Sequence, residues 1–62
     1  MPTETEYVYI GKNLVRINVG NKITRDKLEK LFPDIIIDED RIIFDKSITS
    51  EIRKALKKIE KE

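Results

Sequence analysis

The most apolar stretch of the chain, residues 35–44, is interrupted in its middle by four consecutive charged residues. Apolar runs on both sides of a short polar segment predict a β-hairpin, here with a two-residue loop at Glu39 and Asp40. Side chains alternate between the two faces of a strand. The expected pairs are Ile37 with Ile42 and Ile35 with Phe44 on one face, and Ile36 with Ile43 on the other. Both faces of this hairpin are therefore apolar, and each needs its own partner surface.

A second hairpin is predicted nearer the N-terminus, with strands at 6–10 and 14–19 on either side of Gly11-Lys12-Asn13. A two-residue loop, whether Gly11-Lys12 or Lys12-Asn13, gives the same assignment of faces, because the two registers differ by two residues. One face is then expected to carry Val8, Ile10, Val15, Ile17 and Val19. The other face is expected to carry Tyr7, Tyr9, Leu14, Arg16 and Asn18.

One helix is predicted after each hairpin. The first is expected to begin at Thr24 as its N-cap, with Ile23 packed against Leu28, and to end before Pro33 because proline disfavours the helical conformation of its predecessor. Its expected buried residues are Leu28, Leu31 and Phe32. The second helix is expected to begin at Ile48-Thr49-Ser50-Glu51. Its buried stripe is expected to be Ile52, Ala55, Leu56 and Ile59, which share one helical face.

This order of elements predicts an α+β fold, a two-layer ββαββα sandwich. The simplest arrangement is one four-stranded antiparallel sheet in the order 1-2-4-3 with both helices on one face, joined by a right-handed crossover. It resembles a ferredoxin-like fold whose last strand has moved to the N-terminus. The sheet face without helices, called the outer face below, is a candidate interaction surface. It is expected to carry Tyr7, Tyr9, Leu14, Arg16, Asn18, Ile36, Arg41 and Ile43.

Length and composition narrow the classes of function. Sixty-two residues allow one domain, expected over 6–62 with a disordered N-terminus at 1–5. The chain has no Cys and no His, so it lacks the most common general base and the most common zinc ligands. The segment around the second hairpin is rich in acidic residues, but it lacks the central glycine and the final carboxylate of a calcium-binding loop. We therefore predict no enzymatic activity, no catalytic residues, no cofactor and no bound metal.

The balance of charges argues against an overall electrostatic attraction to polyanions. Thirteen basic and twelve acidic residues give a net charge of +1. Eleven Ile, nine Lys and seven Glu, with no Gln, are typical of thermostable proteins, although a low-GC genome or a designer would produce the same bias. The sequence has no long apolar run and begins with polar and acidic residues. We expect a cytoplasmic protein with no membrane partner and no small-molecule substrate.

Three hypotheses of function remain open. The first is a small interaction module that forms homodimers through the outer face, where Ile36, Ile43 and Leu14 would join two tyrosines in an apolar patch. The second is a single-stranded nucleic-acid-binding domain that uses the same face, with bases stacked on tyrosines and phosphates bound by arginines. The third is a designed or reconstructed protein with no natural function. The pattern favours the first.

Overall fold

The computed structural model describes residues 5–61, so the disorder expected for the N-terminus falls, apart from Thr5, outside the described residues. The elements are β1 (Val8–Tyr9), β2 (Leu14–Asn18), α1 (Lys22–Leu31), β3 (Ile36–Asp38), β4 (Arg41–Asp45), a 3-10 helix (Lys46–Ile48) and α2 (Thr49–Glu60). The four strands form one antiparallel sheet in the order β1-β2-β4-β3. The predicted α+β class and strand order are confirmed.

The core lies between the sheet and the two helices. Strands β2 and β4 pair over their whole length at the centre of the sheet, and each contributes two side chains that are almost completely buried. One residue of α1 and two of α2 close the core from the other side. The buried residues are Val15, Ile17, Val19, Leu28, Ile35, Ile42, Phe44, Ile52 and Leu56. All of them were expected on this side of the sheet.

The second hairpin has the predicted register, with Ile36 paired with Ile43 and Ile37 paired with Ile42. Its loop is Glu39 and Asp40, as expected. Glu39 has a φ of 56°, the only positive value at a non-glycine residue within 5–61. Two-residue hairpin loops need such a conformation because mirror-image turns match the twist of the paired strands. A glutamate adopts it at a cost in free energy that glycine would not have.

The first hairpin differs from the prediction by one residue. Val8 pairs with Arg16, and the amide of Ile10 donates to the carbonyl of Leu14 at 3.1 Å, so the loop has three residues, Gly11-Lys12-Asn13. A shift of one residue moves every side chain of a strand to the opposite face. The predicted faces of β2 are correct, and those of the segment 6–10 are reversed.

The start of α1 was also predicted incorrectly. The helix begins at Lys22, and the side-chain oxygen of Asn21 accepts from the amide of Ile23 at 2.8 Å and from that of Thr24 at 3.4 Å. Asn is at least as good an N-cap as Thr, and its use here lengthens the helix. Ile23 is 66% exposed and does not pack against Leu28 as expected. The guanidinium of Arg25 instead anchors this end of the helix by donating to the carbonyl of Val19.

The buried faces of the helices are largely as predicted, with one exception. Ile52 and Leu56 of α2 are buried, and Ala55 and Ile59 are half-buried against the core. In α1, Leu28 is buried and the following Phe32 is half-buried, but Leu31 is 61% exposed. Leu31 lies at the margin of the apolar stripe, toward the cleft between the two helices.

A short 3-10 helix precedes α2, which begins at Thr49, within the predicted start. The carboxylate of Asp45 accepts from the amide of Ser47 at 2.9 Å, and the hydroxyl of Thr49 donates to the carbonyl of Lys46 at 2.7 Å. The chain therefore turns from β4 into α2 by way of an acidic cap on the 3-10 helix. Thr49 contributes to this turn but does not cap α2.

Replacing Leu56 by Ala should lower the free energy of unfolding by about 2–5 kcal/mol, because Leu56 is 4% exposed and its removal leaves a cavity. Leu31→Ala is the matched control: the same atoms are removed from an exposed position, and the change should be within about 0.5 kcal/mol. Urea unfolding of both variants measures the difference. Equal losses would contradict the docking of α2 described above.

Replacing Glu39 by Gly should raise the free energy of unfolding by up to about 1 kcal/mol, because the cost of a positive φ exceeds the entropy that glycine adds to the unfolded chain. The control is Asp40→Gly at the neighbouring loop position, where φ is not positive. That variant should be less stable than the parent. Thermal or urea unfolding compares the two, and a stabilisation by Asp40→Gly alone would show that the turn has another conformation.

Candidate interaction face

The register of the four strands determines which side chains share the outer face. Val8, Arg16, Ile43 and Ile36 form one row across the sheet from β1 to β3. Asn18, Arg41 and Asp38 form a second row, and Leu14 with Asp45 forms a third. Within residues 5–61, the buried residues of both helices belong to the core on the opposite side of the sheet. The outer face is therefore a surface that residues 5–61 leave uncovered.

Six of the eight residues predicted for the outer face lie on it. They are Leu14, Arg16, Asn18, Ile36, Arg41 and Ile43. The two tyrosines do not, because the three-residue loop places Tyr9 opposite Val15 and directs the odd-numbered residues of β1 toward the helices. Val8, which was expected in the core, occupies the outer face in their place.

The surroundings of both tyrosines are those of the helical side. Tyr7 is half-buried against the core, and the guanidinium carbon of Arg53, a residue of α2, lies 4.7 Å from the centre of its ring. Tyr9 is 59% exposed, with the Nζ of Lys46 at 5.7 Å from its ring centre. Both are cation–π arrangements, which stabilise a folded protein modestly at exposed positions. No aromatic side chain within 5–61 belongs to the outer face.

Aliphatic side chains form a strip that crosses the outer face diagonally. Ile10, which directly follows β1, and Leu14 of β2 are neighbours joined by a hydrogen bond between their backbones. From Leu14 the strip continues to Ile43 and Ile36, and these three residues line one depression. Ile36 is 57% exposed, Ile10 and Leu14 are exposed to a smaller extent, and Ile43 is half-buried. We call these four residues, Ile10, Leu14, Ile36 and Ile43, the outer strip. Ile10 was expected in the core, and its presence here follows from the register of β1.

Charges of both signs border the outer strip. Arg16 is half-buried between Val8 and Ile43 in its row, and Arg41 lies between Asn18 and Asp38 in the next. Asp45 lies opposite Leu14. The pKa of the Asp45 carboxyl lies below its usual value, chiefly because the backbone of Ser47 donates a hydrogen bond to it and secondly because the side chain of Ser47 does. The strip is thus an apolar centre with basic and acidic groups at its edges.

Other kinds of site have little support among the described residues. Within 5–61, no three acidic residues come close enough together to hold a metal ion. In the same part of the chain, no helix has both the length and the apolar character needed to cross a membrane. No protein family, no curated protein and no solved structure matches this chain. The function is therefore inferred from the geometry and chemistry of the chain's own residues.

Replacing Tyr7 by Ala should cost about 1–3 kcal/mol of unfolding free energy, since the ring packs against the core and beneath Arg53. Tyr9→Ala, the same change two residues away at an exposed ring, should cost less than about 1 kcal/mol. Denaturant unfolding of both variants tests the register of β1. Small and equal effects would favour a β1 whose tyrosines both lie on the outer face.

Proposed function

We propose that the protein is a non-enzymatic interaction module that binds a second copy of itself through the outer face. The observation that carries this proposal is the outer strip, four aliphatic residues on a sheet face that neither helix covers. Exposed apolar patches that are contiguous and rimmed by polar groups are typical of interaction sites. Burying the strip against another apolar surface removes it from water and is favourable in proportion to the area.

A second copy suits this face because its charges are self-complementary. In a dimer with a twofold axis, the outer face of one copy packs against the outer face of the other, and the two copies are related by a rotation of 180°. A twofold axis parallel to the strands, between β4 and β3, would pair Arg41 of each copy with Asp38 of the other and Ile43 with Ile36. A partner with a single sign of charge would leave half of these groups facing like charges. Arginine and aliphatic side chains with polar edges also suit the composition of known interfaces.

The size of the face predicts weak association. Strands of at most five residues are about 17 Å long, and four strands about 4.8 Å apart span a similar width. Each copy would bury on the order of a few hundred Å², which is below the roughly 800 Å² per partner of a standard interface. We therefore expect a dissociation constant of about 10 μM to 1 mM, a range typical of small interfaces.

The nucleic-acid alternative has less support from the register of the strands than from the residue pattern alone. Base stacking on a sheet requires aromatic rings on the open face, and Tyr7 and Tyr9 belong to the other side. Arg16 and Arg41 remain on the outer face but are interspersed with Asp38 and Asp45. A cytoplasmic location, expected from the lack of a long apolar run, and high thermal stability, indicated by the charge-rich and Ile-rich composition, belong to the same proposal.

Replacing both Ile36 and Ile43 by Thr should abolish self-association. Threonine keeps the β-branched shape that strands prefer and removes most of the apolar character of the strip. Sedimentation equilibrium up to about 1 mM should show the parent protein approaching dimer mass and the variant remaining monomeric. The melting temperature of the parent should rise with concentration, and that of the variant should not.

Ile23→Thr is the control, because Ile23, like Ile36, is an exposed isoleucine but lies on α1, in the other layer. This variant should associate as the parent does. A double variant that still forms dimers would refute association through the outer face. It would direct attention to the free edges of β1 and β3, whose unpaired backbone groups can also join two copies.

A further inference from the structure

The helical layer contains a second apolar surface, separate from the outer strip. A cleft of about 350 Å³ runs between α1 and α2. Lys27, Lys30 and Leu31 of α1 and Ala55, Lys58 and Ile59 of α2 line it. We call it the helix groove. The exposure of Leu31, which was expected in the core, is explained by its place in the wall of this groove.

The helix groove has an apolar floor, and lysines form a basic edge, here called a bank, on each of its two sides. Leu31, Ala55 and Ile59 supply the apolar surface, and lysines from each helix supply the banks. Within residues 5–61, no acidic side chain lines the groove. Lysine stems can cover apolar surface while their ammonium groups remain in water, so the banks extend the apolar floor upward to a charged edge.

The charge of the helical layer is stronger than the charge of the whole chain suggests. Residues of α1 and α2 include eight basic and four acidic side chains, a net charge of +4, whereas the whole chain has +1. The strands, loops and termini together therefore carry −3. This segregation places a positive field over the side of the molecule that contains the helix groove.

We propose that the helix groove binds an amphipathic helix with acidic flanks from a partner protein. Such a helix presents apolar residues at every third or fourth position to a groove, and here its flanking carboxylates would meet the lysines of both banks. The groove is open along one side, so its occupant must keep a polar back in contact with water. Helix α1 has ten residues and is about 15 Å long, which matches about three turns of a partner helix.

The shape of the groove distinguishes this partner from other anionic surfaces. A membrane surface is flat and would contact protruding residues, whereas Ala55 and Ile59 lie half-buried between the helices. The backbone of a nucleic acid offers phosphates but no apolar ridge to fill the floor. A ligand with both an apolar ridge and acidic edges fits the apolar Leu31 and Ile59 together with the ammonium groups of Lys30 and Lys58.

A direct test uses a synthetic helical peptide of about fourteen residues, with Leu at every third or fourth position and Glu on both sides of that stripe. Titrated at about 0.15 M salt, it should shift the amide signals of α1 and α2 that border the groove. It should leave the signals of Ile36 and Ile43 unchanged. The same peptide with its leucines replaced by serine should bind at least about tenfold more weakly.

Two variants of the protein locate the interaction. Leu31→Ser and the double variant Lys30→Glu, Lys58→Glu should each weaken peptide binding by about tenfold or more. Lys57→Glu is the matched control, since Lys57 is an exposed lysine of α2 that does not line the groove. It should change the affinity by less than about twofold. All of these positions are exposed or outside the core, so the variants should fold.

Three results would overturn the proposal. A loss for Lys57→Glu that is as large, per lysine reversed, as the loss for the Lys30, Lys58 pair would show non-specific attraction by charge. Equal affinity for the serine peptide would lead to the same conclusion. Vesicles of anionic lipid that bind more tightly than the peptide, and with the same dependence on Leu31, would show a membrane-binding surface instead. Because Ile36→Thr, Ile43→Thr should leave peptide binding unchanged, failure here is distinguishable from failure of self-association.

Discussion

The strict alternation of side chains along a strand is the constraint that decides the composition of the two faces of the sheet. Each strand has one face toward the helices and one toward solvent, and the length of each hairpin loop decides which residues take which face. In the first hairpin the loop has three residues, and Ile10 and Val8 face outward as a result. One residue fewer would bring two tyrosines outward and would give the same sheet a different chemistry.

Because the domain is small, its stability depends on how its few large apolar side chains are divided between the core and the surface. A domain of this length buries only roughly 60% of the surface that its unfolded chain exposes. Strands β2 and β4 and the two helices supply seven of the nine buried residues, Val19 and Ile35 lie just outside the strands, and the pairing of β4 with both β2 and β3 holds the sheet together. Aliphatic residues left over from this core are found on the outer face and in the helix groove. Both places lie where the described part of the chain provides no further cover.

The sequence predicts the second hairpin, the strand order and the buried face of α2. In each case the hydrophobic pattern and the residues of the neighbouring turn indicate the same structure. Ile36 and Ile43 can only face away from a core that contains Ile35, Phe44 and Ile42, whatever the rest of the chain does. The first hairpin offers no such criterion. Both alternating sets of its first strand favour β-structure, and Gly11-Lys12-Asn13 suits a loop of two or three residues.

Tertiary contacts supply the missing information in the first hairpin. The ring of Tyr7 fits against the core beneath Arg53 of α2, a contact that no local pattern reveals. The early start of α1 at Asn21 and the exposure of Leu31 are likewise set by how the helix leaves β2 and meets α2. The helix groove escaped prediction because a net charge of +1 conceals a positive helical layer and a negative remainder.

The most direct test of association through the outer face is a search for contacts between copies by isotope-filtered NMR. A mixed sample of methyl-labelled and unlabelled protein, at about 1 mM to favour a weak dimer, reports only contacts that cross from one copy to another. Association through the outer face predicts methyl contacts between copies at Ile10, Leu14, Ile36 and Ile43, and none at Ile23 or Leu31. Contacts at the helical residues, or no contacts between copies at this concentration, would contradict the proposal.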